Sequence, residues 1–276
     1  MKITNITTSI LLFFTLSPTT VMALPFEFGG KLGLESLNWK ELDQNGQKTE
    51  QETGVRYIFS AFLHSKAEPK RLKPFIYGAE IKLYTAATDY TDTDYESNWA
   101  GASIEGEVGL RVGNMPFAWE FVAKPGYDTW IRSMDDNLDV TTRVIQAKEE
   151  QYDVLNLGLG TGPAWHLENW YGRLIAGFKY SSARVNIQAD QSVVYKSDLE
   201  FDIDGKTTGF AAFSNSIQIT KKILVKIDAY YDTYHFKRSD TKTVDAAPPY
   251  EPTSEVTIPE RKQTTYGVHA GVSMDF

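Results

Sequence analysis

The residues best equipped to do chemistry in this 276-residue chain are acids and histidines. It has no cysteine and four histidines: His64, His166, His235 and His269. Asp92-Thr93-Asp94-Tyr95 sets two carboxylates one residue apart. Such a pair can orient a water or weakly hold a divalent ion. Deprotonating water near neutral pH needs a group that titrates there, which is the property of histidine and not of free carboxylates. His235 stands three residues after Asp232, and Ser239 follows it at loop distance. No HExxH or HxxEH zinc pattern occurs, and GTGP at 160–163 lacks the serine of a nucleophile elbow. No metal site and no cofactor is therefore expected. Taken alone, Asp92 and Asp94 read as a solvated acidic loop.

Strands must carry these residues. From Thr264 to the last residue, Tyr266, Val268, Ala270, Val272, Met274 and Phe276 alternate with Thr265, Gly267, His269, Gly271, Ser273 and Asp275. A strict period of two describes a strand with one apolar and one polar face. Its length suits a tilted membrane-spanning strand of ~9–11 residues. This stretch resembles the C-terminal assembly signal of bacterial outer-membrane β-barrels. The resemblance implies that Tyr266, Val268, Val272, Met274 and Phe276 are read by the outer-membrane assembly machinery.

The same alternation recurs along the chain and predicts ten strands, an all-β transmembrane antiparallel up-and-down barrel. Apolar sets such as Val55, Tyr57, Phe59, Ala61, Leu63 and Leu174, Ala176, Phe178, Tyr180 point outward. The opposite parity carries Arg56, Glu80, Lys82, Glu105, Glu107, Arg111, Glu120, Lys124, Arg173, Lys179, Lys226 and Asp228. A lysine or arginine facing lipid at the midplane costs ~2–4 kcal/mol, so these charges belong in the lumen. Both signs are interspersed, which allows either a plug of ion pairs and trapped water or a narrow pore. His269 shares the inward parity and His235 the outward one; His64 and His166 lie beside expected short turns. Pro125 interrupts strand five and predicts a bulge or an upper rim. GFAAFSNSIQI in strand eight reads equally well in two registers, so its facing stays open.

Connections are expected to alternate. Long ones at 43–50, 85–99, 132–151, 186–205 and 237–261 follow odd strands; short ones follow even strands. Barrels of this type place short turns and both termini in the periplasm and long loops outside. Residues 1–23 read as a signal peptide: Lys2, then the apolar run 10–16, then Val21-Met22-Ala23. Residues 24–276 form the barrel domain. A negative mean hydropathy, -0.34, does not oppose this, because lipid-facing and lumen-facing residues average out. The net charge of -8 argues against nucleic acid. The expected partners are outer-membrane lipids and lipopolysaccharide, around a monomer in the bacterial outer membrane.

Ten strands with acidic pairs on high loops are similar to the omptin outer-membrane proteases. Asp92-Thr93-Asp94-Tyr95 is similar to the omptin acid pair and its following aromatic, and GFKYSS at 177–182 to the segment before the omptin Asp–His pair. The resemblance implies a surface endopeptidase, but Asp190-Gln191-Ser192 stands where it requires Asp-x-His. The reading that follows is a structural or surface-binding barrel rather than an enzyme. The alternatives are an omptin-like endopeptidase, a lipid-modifying barrel enzyme built on His235 and Ser239, or a narrow pore. Deleting Phe276 is expected to abolish the heat-modifiable band in outer-membrane fractions, because the terminal aromatic completes the assembly signal.

Overall fold

The protein is described here by a computed structural model covering residues 26–65, 74–91, 96–114, 116–134, 149–188, 199–244 and 254–275. Residues 1–23, Asp92, Asp94, Asp190 to Ser192 and Phe276 lie outside the described residues. The described strands are β1 (Phe26–Leu42), β2 (Lys48–Ser65), β3 (Phe75–Tyr90), β4 (Glu96–Asn114), β5 (Phe117–Met134), β6 (Glu149–Leu167), β7 (Trp170–Gln188), β8 (Leu199–Asp204), β9 (Thr208–Gln218), β10 (Ile223–Phe236), β11 (Lys242–Val244), β12 (Ser254–Val256) and β13 (Glu260–Asp275). Neighbours in sequence pair antiparallel, and β1 closes the sheet on β13 from Glu27↔Asp275 to Leu42↔Glu260. The wall has ten staves, because β8 and β9 are two pieces of one stave, both paired with β7. The short hairpin β11–β12 stands apart in the last connection. Closure leaves no lateral sheet edge around the spanning part, the condition for a strand fold in lipid.

Outside, an apolar band girdles the barrel. Leu32 is 67% exposed and Phe178 72% exposed, and the band takes in Val55, Tyr57, Phe59, Ile81, Leu110, Phe121, Leu157, Ile227, Val268 and Met274. An exposed apolar surface this continuous can be satisfied only by lipid. The band occupies the part of each strand nearest the β4–β5 connection and the turns 168–169 and 219–222.

Beyond the band the same strands invert their polarity. On β7 the outward residues change from Leu174, Ala176, Phe178 and Tyr180 to Ser182, Arg184 and Asn186. The inward ones become Ala183, Val185 and Ile187, all buried. On β6, Asp153 and Gln151 turn outward while Val154 and Tyr152 turn inward with no exposure. β8 repeats the arrangement, with Leu199, Phe201 and Ile203 inside and Glu200 and Asp202 outside. The upper barrel is thus built like a water-soluble one, with an apolar interior and a polar exterior.

This inversion corrects four of the expected long connections. Strand pairing runs into 186–205 from both ends, on β7 to Gln188 and on β8 from Leu199. It also takes β3 to Tyr90 and starts β4 at Glu96, leaving 91–95, and it carries β5 to Met134. β2 starts at Lys48, leaving 43–47. An expected strand that ends where its outward residues cease to be apolar ends at the membrane boundary, not at the end of the strand. The contrast between long and short connections fades accordingly: 66–74, at the short-turn end, is longer than 43–47.

The eighth stave shows why its facing could not be read. β8 pairs Asp204 with Ser182, whereas β9 pairs Thr208 with Lys179, a shift of one residue across 205–207. β8 therefore points its odd residues inward and β9 its even ones, so Phe213, Ile217 and Ile219 meet lipid and Phe210 and Ser216 the lumen. A one-residue shift flips every later side chain. Pro125, by contrast, marks neither a bulge nor the rim. Glu105↔Gly126 and Val108↔Ala123 keep one register on either side of it, and only the ladder between them is interrupted. The missing N–H costs pairing with β4 without shifting the strand.

At the stave break a side chain has no room: a Cβ on Gly205 would stand 1.8 Å from the Ser181 carbonyl oxygen. Gly205→Val is expected to destabilise the folded barrel by about 1–3 kcal/mol, the range for overpacking. The measurement is the shift in urea midpoint during folding into lipid vesicles.

Candidate functional site

The interior is stacked in layers, and the lowest is ionic. Lys31 Nζ lies 2.8 Å from Glu80 and 3.0 Å from Asp228. Arg56 Nε donates to Glu35 at 2.5 Å, and Lys226 pairs with Glu27. Arg111 donates twice to Glu120 Oε1, at 2.8 and 2.6 Å. Arg173 forks onto both oxygens of Glu107, at 2.6 and 2.9 Å. Lys124 meets Glu105 at 2.7 Å, and Lys179 meets Asp232 at 2.6 Å. Eleven of the twelve lumen charges named from sequence thus stand in these pairs; Lys82 instead places its ammonium 4.9 Å from the Tyr230 ring centroid. Their partners Lys31, Glu27, Glu35 and Asp232 share the inward parity of their strands. A cavity of about 180 Å³ threads between the pairs, reaching from Glu27 and Ser65 up to Asp128 and Tyr234. Ile76, Val122, Ile175 and Phe210 form one apolar patch in this layer.

An aromatic layer covers the ionic one. Trp39 and Trp99 cross edge to face at 5.2 Å, Trp39 meets Tyr152 at 5.6 Å, and Trp130 stacks on Tyr152 at 5.0 Å. Tyr234 and Phe236 stack at 5.9 Å beside them. Ile258, Val256 and the inward residues of β7 and β8 complete the cluster. Trp39, Trp99, Trp130 and Tyr152 come from four different strands and are each at most 2% exposed, so the indoles meet across the lumen.

Above the aromatics sits a second ion cluster. Arg132 pairs with Glu52, donates to Glu150 at 2.9 Å and to the Tyr90 hydroxyl at 2.7 Å. Arg261 donates to both oxygens of Glu150, at 3.0 and 2.8 Å, and lies 2.8 Å from Glu41. Ser97, Thr88 and the Trp99 indole also donate to Glu52. Both guanidiniums rest on aromatic faces, Arg132 on Trp39 and Trp99, Arg261 on Trp39 and Tyr152. This cluster lies beyond the lipid band. Burial alone would push the Glu52 carboxyl up; the Arg132 guanidinium and the hydroxyl donors outweigh it and hold the group below the usual range. Glu150 is lowered in the same way, against burial, by Arg261 and Arg132.

Sequence reasoning missed the aromatic layer and the upper cluster. A signal was present: Leu37 and Trp39 fall on the same parity as Glu27, Lys31 and Glu35, which marks them as interior.

The histidines do not converge on one site. His269 is buried in the lumen, 3.2 Å from the Tyr230 hydroxyl and 3.7 Å from Glu35. His64 lines the cavity beside Phe62. His166 lies 2.9 Å from the Glu168 carbonyl at a short turn. His235 is on the outer wall, 2.6 Å from Glu260, which also accepts from Lys206 at 2.6 Å. Ser239 donates to the Asp240 carbonyl and accepts from the Ile258 N–H, so its hydroxyl is engaged with backbone rather than with His235. Of the terminal strand, Tyr266, Val268, Val272 and Met274 all face lipid.

No protein-family model matches the chain, and no curated protein matches it in sequence. Solved structures do. The outer membrane protease OmpT of Escherichia coli aligns with a TM-score of 0.58 at 9% identity, over 91% of this chain and 97% of that one. The translocator domain of the autotransporter NalP from Neisseria meningitidis aligns at 0.47 and 9%, over 98% and 93%. The toluene transporter TodX of Pseudomonas putida aligns at 0.35 and 8%, over 91% and 89%. The likeness to OmpT is one of fold: the chain has the closed antiparallel barrel of bacterial outer-membrane proteins.

Removing one member of the upper cluster leaves its partners buried and charged, which costs about 3–5 kcal/mol. Arg132→Ala is expected to lose that much at pH 7. In the wild type Glu52 titrates lower folded than unfolded, so its contribution is present above the unfolded carboxylate pKa of about 4.3 and is lost as pH falls. Without Arg132, burial dominates and raises the Glu52 pKa. The gap between variant and wild type should therefore narrow as pH drops from 7 to 4, measured by urea unfolding in vesicles.

Proposed function

We propose that this protein is a sealed outer-membrane barrel of the structural or surface-binding type, with its termini in the periplasm and its upper, soluble-like end at the cell surface. The observation that carries this reading is the aromatic layer of Trp39, Trp99, Trp130 and Tyr152 across the lumen. A conducting pore needs a continuous water path, and buried indoles in mutual contact oppose one. The mixed signs of the lower layer support a plug over a selective filter, because each cation is committed to a carboxylate or a ring.

Catalysis finds less support. Peptide hydrolysis by the omptin plan needs a histidine near an acid at the barrel mouth. Among the described residues, the acid–histidine contacts are His235 with Glu260 on the outer wall and His269 with Glu35 beneath the aromatic layer. The upper cluster itself sets two arginines, Arg132 and Arg261, among three glutamates, Glu41, Glu52 and Glu150, and its pairs tie strands together. The fold likeness to OmpT keeps a surface endopeptidase, with Asp92 and Asp94 as its acids, as the alternative reading.

In planar bilayers the purified protein is expected to give no stepwise conductance. Trp39→Ala combined with Trp130→Ala removes two of the four large rings and should open a measurable current. A steady conductance in the wild type would sink the sealed-barrel reading.

A further inference from the structure

We propose that the ionic layer of the lumen holds a binding site for a small zwitterion, an α-amino acid, with Lys82 as the partner of its carboxylate and Asp128 as the partner of its ammonium. Charge in this layer is paired with two exceptions. Among the described residues that line the cavity, each lysine and arginine but Lys82 meets a carboxylate, and each carboxylate but Asp128 meets a lysine or arginine. The two exceptions have opposite signs. They also stand in one row on the inner wall: Lys82 on β3 is registered with Ser103 on β4, and Ser103 with Asp128 on β5. Adjacent strands lie ~4.8 Å apart, so the two backbones are about 10 Å apart with a serine between them.

A lysine and an aspartate at this spacing could reach each other, and tyrosines keep them apart. The Lys82 ammonium lies 4.9 Å from the centroid of the Tyr230 ring, on β10, and the Tyr230 hydroxyl is in turn 3.2 Å from His269. Asp128 is buried and accepts from the Tyr84 hydroxyl at 2.6 Å and from the Tyr234 hydroxyl at 3.1 Å. Cations stand over both of these rings, Arg56 over Tyr84 and Lys179 over Tyr234, and each is committed to another carboxylate, Arg56 to Glu35 and Lys179 to Asp232. A buried carboxylate without a cation is costly. The two hydroxyls satisfy one lone pair on each Asp128 oxygen and leave a second on each. A ligand that carries both signs answers Lys82 and Asp128 together, which neither an anion nor a cation does. An α-amino acid is ~2.5 Å long from nitrogen to carboxyl carbon, and a charge-assisted hydrogen bond of ~2.8 Å at each end lets it bridge groups about 8 Å apart. Ser103 lines the cavity between the two and offers its hydroxyl to the ligand carboxylate. The cavity of about 180 Å³ has room for roughly six waters at ~30 Å³ each, so the amino acid is one with a small side chain. Entry is from the end of the barrel that carries the short turns, where the cavity reaches Glu27 and Ser65, because the aromatic layer covers the other end.

The full-length barrel in neutral detergent is dialysed against labelled alanine, with propionate and ethylamine as competitors that each carry one of the two charges. The expected result is saturable binding of one alanine per barrel, at least tenfold weaker binding in Lys82→Gln and in Asp128→Asn, and at least tenfold weaker competition by propionate and by ethylamine than by unlabelled alanine. No saturable binding, or binding unchanged in either variant, would overturn the proposal. Competition by propionate as strong as by alanine would overturn the zwitterion and leave an anion site at Lys82. Heat-modifiable migration reports folding of each variant, and a double-variant cycle keeps the test independent of any loss of stability. Without alanine, the shifts in urea midpoint of Lys82→Gln and Asp128→Asn should add in Lys82→Gln/Asp128→Asn. With saturating alanine they should fail to add, because the ligand couples the two groups. Shifts that fail to add without alanine would show that the two charges already attract each other, and would overturn the premise that they are held apart. The site goes beyond the sealed-barrel reading and does not rest on orientation in the membrane. In detergent both ends of the barrel meet solute, so a failure of binding leaves that reading standing, and a conductance in the wild type leaves the binding result standing.

Discussion

A charge on the inner wall of a narrow barrel can be stabilised only by another inner-wall group or by trapped water, because lipid surrounds the wall. In this protein that constraint is met almost entirely by pairing. Lys31, Arg56, Arg111, Lys124, Arg173, Lys179 and Lys226 each reach a carboxylate from a different strand. Some pairs join neighbours, as Arg111 and Glu120 do across β4 and β5. Others cross the lumen, as Arg173 on β7 and Glu107 on β4 do. The crossing pairs tie together strands that are not neighbours in the wall and leave a cavity of about 180 Å³. Buried ion pairs are weak evidence of stability when compared with an apolar core, since desolvation offsets much of their attraction. Here their value is conditional: given strands that must show an apolar face to lipid, the inward positions hold polar groups, and pairing is what makes those groups tolerable.

The lipid boundary divides each long strand into two regimes. Inside the band, the apolar face is outside because the solvent there is lipid. Beyond it, the solvent is water on the outside, and the hydrophobic effect moves apolar side chains inward. The consequence is an upper barrel with a packed aromatic core between two polar layers. Arg132 and Arg261 sit above this core, where their guanidiniums lie within cation–π reach of Trp39, Trp99 and Tyr152 while their N–H groups reach Glu52, Glu150 and Glu41. The barrel thus sorts its internal charge into pairs on both sides of the aromatic core.

How much was legible follows from which signal each residue carries. Period-two alternation with exposed apolar residues placed the staves, their facing and the lumen charges, from Glu80 and Lys82 on β3 to Lys226 and Asp228 on β10. It failed where its premise failed. On β7 the apolar outward residues end at Tyr180, although the strand continues to Gln188, because Ser182, Arg184 and Asn186 face water. On the eighth stave, Gly205 to Thr207 insert one residue and exchange the faces. Pro125 reads in sequence as a break and is one only in its hydrogen bonding to β4.

What the amino-acid order determined by itself is local: which residues share a face, which faces suit lipid, and that charges of both signs must be inside. Those properties depend on a two-residue repeat, which any stretch of chain carries without reference to the rest. The partners were decided only by the tertiary structure. That Arg132 finds Glu52 at a separation of 80 positions, or Lys226 finds Glu27 at 199, depends on closure of the sheet, because only the closed wall sets strands that are distant in sequence facing each other. The aromatic layer has the same origin. Trp39, Trp99, Trp130 and Tyr152 are scattered singly along the chain, and no window of sequence contains their contact; the radius of the barrel does.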